Sequence, residues 1–531
     1  MKTSILVLKR IIRFTCFLNL FVLTVSAQGT FEKTWSGNGA NEATSVYQLP
    51  DGGFIIAGTS GFLQSISSQM FLLRTNANGD TMWTRKFVNG GYCTAYGLAV
   101  IPTGGYILTG MTSSSLSTEP DALVIRTDTA GNVRWTNTFG GIYNDGIRTV
   151  SVSSTPDHGL IMTGWYGSNA SLDYHVLLVK MDSAGTTTWA KTISAPESVE
   201  GSAAYVAGNG YIVFGYGADR SSDLFLMKTN SLGVPTWNNI YGGRSYDDCL
   251  GGTPTHDGGF LIAGTSFNDS LFFNQVLLIR TDSLGHTVWE QVYQQEDMFV
   301  NSIKETRDHG FILTGYISDG FDEGNLLLMK IDSTGQVTWA NSFGDSGFDY
   351  GNDVIQTSDS GFIVVGTKDN SYGTSGDIFI VRTDLNGQTG CENVLSIVNF
   401  EPPHSDSSVA VANAAIAASG AVNLSVGRGF SKGVLCPANS IDELSDRNHR
   451  FEVFPNPSNG TFTIRSNVAK EKNIHAEFLN ITGETLWEKN FSSGNILVRA
   501  QDSGAQLAAG IYYLRLFSEE GCETLKILVR P

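Results

Sequence analysis

The chain has 531 residues, with 60 Gly, only 13 Pro, 11% aromatic residues, 16% charged residues and a net charge of −17. This composition suits two or three all-β domains rich in tight turns, and it excludes a disordered chain. The acidic balance excludes nucleic acid and anionic membrane surfaces as partners.

Lys2, Lys9, Arg10 and Arg13 precede an apolar run over residues 14–25, which is too short to span a bilayer comfortably. Val25-Ser-Ala27 offers a cleavage site, so residues 1–27 are expected to be a signal peptide and Gln28 to begin the mature chain. Cys16 lies inside the apolar run, which argues against a lipoprotein. Losing four positive charges would take the balance from −17 to −21. No other stretch reads as a membrane helix, so no transmembrane segment is expected in the mature chain.

Five cysteines then remain, an odd number that cannot form a complete disulfide framework. Cys391 and Cys436 bracket one segment and are the expected pair. Cys93, Cys249 and Cys522 lack metal-ligand spacing and read as small buried hydrophobes.

Two phrases then alternate along the chain. The first is Asp51-Gly-Gly-Phe-Ile-Ile-Ala-Gly58, with relatives whose Gly before the aromatic or aliphatic residue falls at 53, 105, 159, 210, 259, 310 and 361. The second is Arg74-Thr-Asn-Ala-Asn-Gly79-Asp-Thr-Met-Trp83. It returns with tryptophans at 135, 189, 237, 289 and 339, while a seventh copy from Arg382 to Gly387 has Cys391 where Trp would stand. An apolar run, an Asp or Asn that closes a side-chain turn, and a Gly of positive φ predict a β-hairpin. The Trp on the return strand is large enough to pack between neighbouring sheets.

Each unit of about 51 residues holds four short strands, in unit 1 near residues 45–49, 54–58, 70–75 and 81–87. Four strands repeated at this period predict the blades of a propeller. Unit 7 stops after its third strand. Thr30-Phe-Glu-Lys-Thr-Trp35 matches Arg134-Trp-Thr-Asn-Thr-Phe139, so residues 29–36 are expected to supply the missing strand, with Phe31 in the docking-Trp place. The fold expected is all-β: a seven-bladed β-propeller over residues 28–391, closed by an N-terminal strand.

These units resemble the tryptophan-docking repeats of quinoprotein-like propellers. Their turn is one residue shorter than in that family, so the resemblance implies the fold and not a quinone; no cofactor is expected.

Ten residues past the docking position, alternate units carry Asp145, Asp247 and Asp349, with Asn41 as the unit 1 counterpart. Their place between an outer strand and the next inner strand makes them candidate ligand-binding residues at one channel mouth, for a sugar or a cation. The plainer reading is that each nucleates a turn.

Residues 392–448 break the repeat and read as an extension and linker rich in Ala, Val and Ser. From residue 449 to 531 short alternating strands predict a small β-sandwich. Pro455, Asn456, Pro457 and Gly460, then Gly510 and Tyr512, then Lys526, resemble the motifs of the type A C-terminal sorting domain of the type IX secretion system of Bacteroidota. The resemblance implies an Ig-like sandwich, the type IX secretion machinery as partner, and a final location outside the cell or on its outer surface, reached through the periplasm.

No zinc-protease, nucleophile-elbow or phosphate-loop motif appears, so no catalytic or metal-binding residue is assigned. The expected function is a cell-surface or secreted binding or scaffold module for a glycan or surface protein. The alternative is a polysaccharide-degrading or quinone-dependent enzyme with its site at the propeller mouth. It would need Asp145, Asp247, Asp349, Arg148 and Lys304 to converge.

Overall fold

The computed structural model describes residues 29–529 except 37–38, 62–67, 89–91, 114–119, 141–144, 148–152, 155–158, 168–173, 195–197, 218–222, 243–246, 269–272, 319–323, 346, 370–375, 401–411, 416–417, 420–424, 428–430, 437–450, 455–460, 467–473, 481–484, 492–494, 500–509 and 519–520. Residues 1–27, expected to be a signal peptide, and the expected sorting residues Pro455, Asn456, Pro457 and Gly460 lie outside the described residues, as do Arg148 and residues 437–450.

Every described element is a β-strand. Seven antiparallel sheets follow one another along the repeats. Sheet 1 holds Asn41–Gln48, Phe54–Ser60, Gln69–Thr75 and Thr81–Val88 in spatial order. Sheets 2 to 6 repeat the pattern, beginning at Tyr92, Asp145, Val199, Asp247 and Asp297. Sheet 7 takes Tyr350–Gln356, Phe362–Asp369 and Gly376–Thr383, and its fourth strand is Phe31–Ser36 from the other end of the chain. Each neighbouring pair of sheets shares one apolar core. A further core joins sheet 7 to sheet 1 through Phe31, Trp35, Ile363 and Ile378 against Ala43, Val46, Phe54 and Phe71. The succession of sheets thus returns to its start, with first strands facing first strands around an axis.

The two phrases meet in space. In the first six sheets the basic residue of the hairpin pairs with the docking Trp across the sheet, from Arg74 with Trp83 to Lys330 with Trp339. In sheet 7 Arg382 pairs with Phe31, so Phe31 occupies the docking place expected for it. The basic side chain is buried and reaches the Asp of the preceding phrase. Arg74 contacts Asp51, Lys330 lies 3.1 Å from Asp308, and Arg382 lies 2.8 Å from Asp359. Sheets 2 and 4 have no acid there, and Arg126 and Lys228 bond the carbonyls of Gly104 and Ala207 instead. Burial without that acid holds both cations below their usual pKa.

The hairpin Gly has two tasks. It takes a positive φ, +71° at Gly233, and it leaves room for the preceding sheet's indole. A Cβ on Gly233 would stand 2.6 Å from Trp189, and one on Gly79 would stand 2.6 Å from Phe31. Sheet 7 is tied to sheet 1 by polar contacts as well. The Trp35 indole N–H donates to Thr81 at 2.9 Å, Lys33 pairs with Asp80 at 3.2 Å, and Arg382 donates to the Ala77 carbonyl at 2.7 Å.

The extension after residue 391 reveals something its composition did not. Its short strands add to the outer edges of the sheets in reverse order. Asn393–Val394 pairs with sheet 6 and Val398–Phe400 with sheet 5. Ala412–Ala415 pairs with sheet 3, Ala418–Ser419 with sheet 2 and Ser425–Gly427 with sheet 1. Ser431–Cys436 finally pairs with Phe31–Ser36 in sheet 7. The segment is a belt around the fourth strands, satisfying edge N–H and C=O groups that would otherwise invite pairing with another chain. Cys391 is disulfide-bonded. The belt brings Cys436 opposite Glu32, whose carboxylate accepts a 2.6 Å bond from Thr389, two residues before Cys391. Cys93 is a buried thiol outside any disulfide, 3.4 Å from the Thr112 hydroxyl.

Residues beyond the belt form a sandwich. One sheet holds Phe451–Phe454, Thr461–Ser466 and Asn495–Arg499, the other Thr485–Phe491, Ile474–Leu479, Gly510–Ser518 and Gly521–Val529. Ile464 from the first meets Phe478, Tyr512, Leu514 and Ile527 from the second. Tyr512 stacks on Phe478 at 5.2 Å, and Gly510 begins the strand paired with the one that carries Lys526.

Two outcomes follow from this packing. Gly233→Ala is expected to cost about 2–4 kcal/mol in urea denaturation, through positive φ and collision with Trp189. Gly208→Ala, in the same sheet but with open space at its Cβ, is expected to cost only about 1 kcal/mol. Peptide mass mapping of unreduced protein is expected to find Cys391 joined to Cys436; any other partner contradicts the belt's return to its origin.

Candidate functional site

The first strands lie nearest the axis, and all but that of sheet 3 carry a register irregularity at one level. It falls between Ala43 and Ser45, Ala95 and Gly97, Gly201 and Ala203, Cys249 and Gly251, Val300 and Ser302, and Gly351 and Asp353. Such bulges re-aim side chains. The skipped residues include Tyr96, Asn301 and Asn352. Asn352 Nδ2 donates to Glu42 Oε1 at 2.9 Å, and Asn301 Nδ2 donates to the Gly351 carbonyl at 2.8 Å. A polar line thus crosses sheets 6, 7 and 1. Burial pushes the Glu42 carboxyl above its usual range, although Asn352 opposes this. Lys304, expected at the mouth, instead approaches the buried carboxylate of Asp353 at 3.8 Å. Asp353 also accepts from Ser45 at 3.0 Å and Ser302 at 2.9 Å, locking the same three sheets.

Toward the beginning of these strands stands a half-buried aromatic group. Phe299 and Tyr316 stack at 4.3 Å, Phe348 meets Tyr316 edge-on at 4.8 Å, and Tyr350 lies 6.2 Å from Phe348. Tyr316 follows the last Gly of its phrase, where Trp165 and Tyr216 stand in sheets 3 and 4. Trp165 packs on the bulged Tyr96 at 6.2 Å. Sequence reasoning passed over this position, although three of seven phrases carry an aromatic there.

The acids singled out from the sequence sit at the same level. Asp349 is fully buried. It pairs with Lys368 at 3.2 Å and accepts the Asp369 N–H at 3.0 Å and the Asp345 N–H at 3.1 Å. The preceding Gly344 is needed because a Cβ there would strike the Asp349 carboxylate. Asn41 is equally buried and donates to the Gly39 carbonyl at 2.8 Å. Both therefore serve as loop clasps whose polar atoms face protein. Asp145 and Asp247 each begin the first strand of their sheet, at separate points around the axis, and their side chains lie outside the described residues.

A second cluster lies at the opposite ends of the first strands. His256, Glu305 and His309 offer nitrogen and oxygen atoms all within 4.8 Å of one another. No helix among the described residues is long and apolar enough to cross a membrane.

Comparison with known proteins adds the following. Residues 452–530 match the family model described as a secretion system C-terminal sorting domain. No curated protein matches the chain. Similar solved structures include PorZ, a surface component of the type IX secretion system of Porphyromonas gingivalis (8% identity, 92% of this chain and 74% of that one, TM-score 0.35). Others are a quinohemoprotein alcohol dehydrogenase from Comamonas testosteroni (11%, 65% and 67%, TM-score 0.33) and a mannose phosphorylase from Leishmania mexicana (8%, 57% and 87%, TM-score 0.29). Likeness at this level carries no argument about what this chain does.

Burial raises the pKa of Asp349 to about 6 despite Lys368, and that of Glu32 to about 7 despite Thr389. A carboxyl whose pKa rises on folding stabilises the fold at low pH, and that contribution disappears as pH climbs through the folded value. Stability is therefore expected to fall between about pH 4 and pH 7. Asp349→Asn, with Asp345 still 2.8 Å from Lys368, is expected to remove about 3 kcal/mol of that pH dependence, read by denaturation at pH 4, 5, 6 and 7.

The sandwich that ends the described chain is a type IX secretion system C-terminal sorting domain, and the propeller-like protein carrying it is exported to the cell surface or secreted.

Proposed function

We propose that this is an exported binding module of a Bacteroidota cell, whose β-propeller engages a glycan at the mouth formed by Phe299, Tyr316, Phe348 and Tyr350. In this reading residues 1–27 direct export to the periplasm, residues 28–391 form a seven-bladed propeller, and residues 392–448 supply the belt and a linker. Residues 449–531 then engage the type IX machinery.

One observation carries the reading: half-buried aromatic residues cluster at the start of the first strands that also carry the amide and carboxylate line of Asn301, Asn352 and Glu42. Aromatic faces pack on the apolar faces of sugar rings, while amides and carboxylates exchange hydrogen bonds with sugar hydroxyls. Concave, mostly apolar sites with a few convergent polar groups are where small ligands bind. Asp145 and Asp247 stand at the same level and are proposed to add hydroxyl contacts. Asp349 and Asn41 support the rim from within. A surface protein presenting a sugar-like or aromatic tip would meet the same chemistry.

The enzyme alternative has less support, because Lys304 faces Asp353 inside the protein rather than a substrate. Glycan-array and polysaccharide pull-down measurements on the mature chain test the proposal. Binding is expected to weaken at least about tenfold in Phe348→Ala, which removes a half-buried ring outside the sheet cores. Binding unchanged in that variant moves the site elsewhere, and no glycan binding at all favours a protein ligand.

A further inference from the structure

The other end of the channel carries chemistry of its own. Glu305 ends the first strand of sheet 6, and His309 lies in the turn that follows. His256 lies in the corresponding turn of sheet 5. His256 Nδ1 is 2.6 Å from Glu305 Oε1, and His309 Nδ1 is 3.7 Å from the same oxygen. The two imidazoles stack at 3.6 Å. Both are about half exposed, while Glu305 is largely covered.

Sister junctions show what the fold itself requires here. Between sheets 6 and 7, Gln356 Oε1 accepts the Arg307 backbone N–H at 2.9 Å. Between sheets 7 and 1, Gln48 Oε1 accepts the Ser358 N–H at 2.7 Å. Between sheets 5 and 6, Glu305 Oε2 accepts the His256 N–H at 2.9 Å. A neutral amide performs this clasp twice, so the negative charge of Glu305 is surplus to it. Its second oxygen faces both imidazoles.

The backbone of His309 points the same way. Its φ is 61°, at a turn position held elsewhere by Gly52, Gly104 and Gly258 with φ of 81°, 96° and 86°, and by Ser360 with φ of 74°. A non-glycine residue there costs about 1 kcal/mol or more. The fold bears that cost at Ser360 as well, so what sets His309 apart is its side chain, which reaches Glu305.

We propose that His256 Nδ1, Glu305 Oε1 and His309 Nδ1 bind a borderline divalent transition-metal ion of the zinc type. Two imidazoles and a carboxylate form a donor set that such ions take. Metal–ligand bonds of about 2.0–2.2 Å set donor atoms roughly 3–3.6 Å apart. His309 lies just beyond that spacing at 3.7 Å, and the half-exposed His256 ring would have to open from 2.6 Å. Three protein donors leave at least one coordination position toward solvent, where a ligand or a partner's side chain can complete the shell. The ion would pin sheets 5 and 6 together at the rim opposite the aromatic mouth, so this site is independent of the glycan reading.

Zinc titration of the untagged mature protein by calorimetry, with metal analysis after dialysis, tests this assignment. Two variants copy residues that sister positions already use. His309→Gly restores the common turn residue, and Glu305→Gln restores the amide clasp. Wild type is expected to take up one equivalent of Zn²⁺, and each variant to bind at least about tenfold more weakly. Both variants should unfold within a few degrees of wild type in EDTA. No stoichiometric uptake by wild type overturns the proposal. So does uptake unchanged in both variants, which would place the ion elsewhere, such as at His475, Glu477 and Glu488 of the sorting domain.

Discussion

The contact on which the ring depends is an indole laid over a glycine. Trp189 of sheet 3 covers Gly233 of sheet 4, and the same arrangement recurs from sheet to sheet. One residue type thereby solves two problems. Glycine supplies the positive φ of the hairpin and the flat space that the neighbouring ring needs. Trp is large enough to bridge between sheets that diverge outward from an axis. Neither half works without the other, so the pair sets the angle between blades and propagates it around the molecule.

Closure follows from the same contact. At the last junction the docking residue is Phe31, carried by a strand from the opposite end of the chain. Chain ends are where a repeat array would otherwise expose a core face and an unpaired edge. Here Phe31–Ser36 completes sheet 7, and the final strand of the belt then covers that strand's outer edge. The belt adds little side-chain chemistry. It works through backbone hydrogen bonds on exposed edges, which suits a protein that must stay folded and unaggregated outside the cell.

Much of this was legible in the sequence, for identifiable reasons. The two phrases recur with side chains the turn geometry demands, and the homology of residues 30–35 with 134–139 placed Phe31 correctly. The link between phrases was not legible, because Arg74 and Asp51 look like separate surface charges until a third strand carries one over the other. The belt was invisible because edge pairing makes no demand on side chains, so an Ala- and Ser-rich segment looked like a linker. The alternate-unit acids showed a real regularity. The burial of Asp349, however, depends on Lys368 and on loop backbone that no spacing rule contains. His256, Glu305 and His309 left a faint trace: a Glu where two sister sheets carry Gln48 and Gln356, and His309 where three carry glycine. Only the side-by-side packing of sheets 5 and 6 joins residues about fifty positions apart.

Closure rests on the strap Phe31–Ser36, which docks Phe31 on sheet 1. Hydrogen exchange on the mature protein and on a version lacking residues 28–36 tests it most directly. Removing the strap is expected to abolish protection at Gly376–Thr383, at the Asn76–Thr81 hairpin and at Ser431–Cys436, with sheets 3 to 5 still protected. Unchanged exchange in those three segments would contradict closure by the strap.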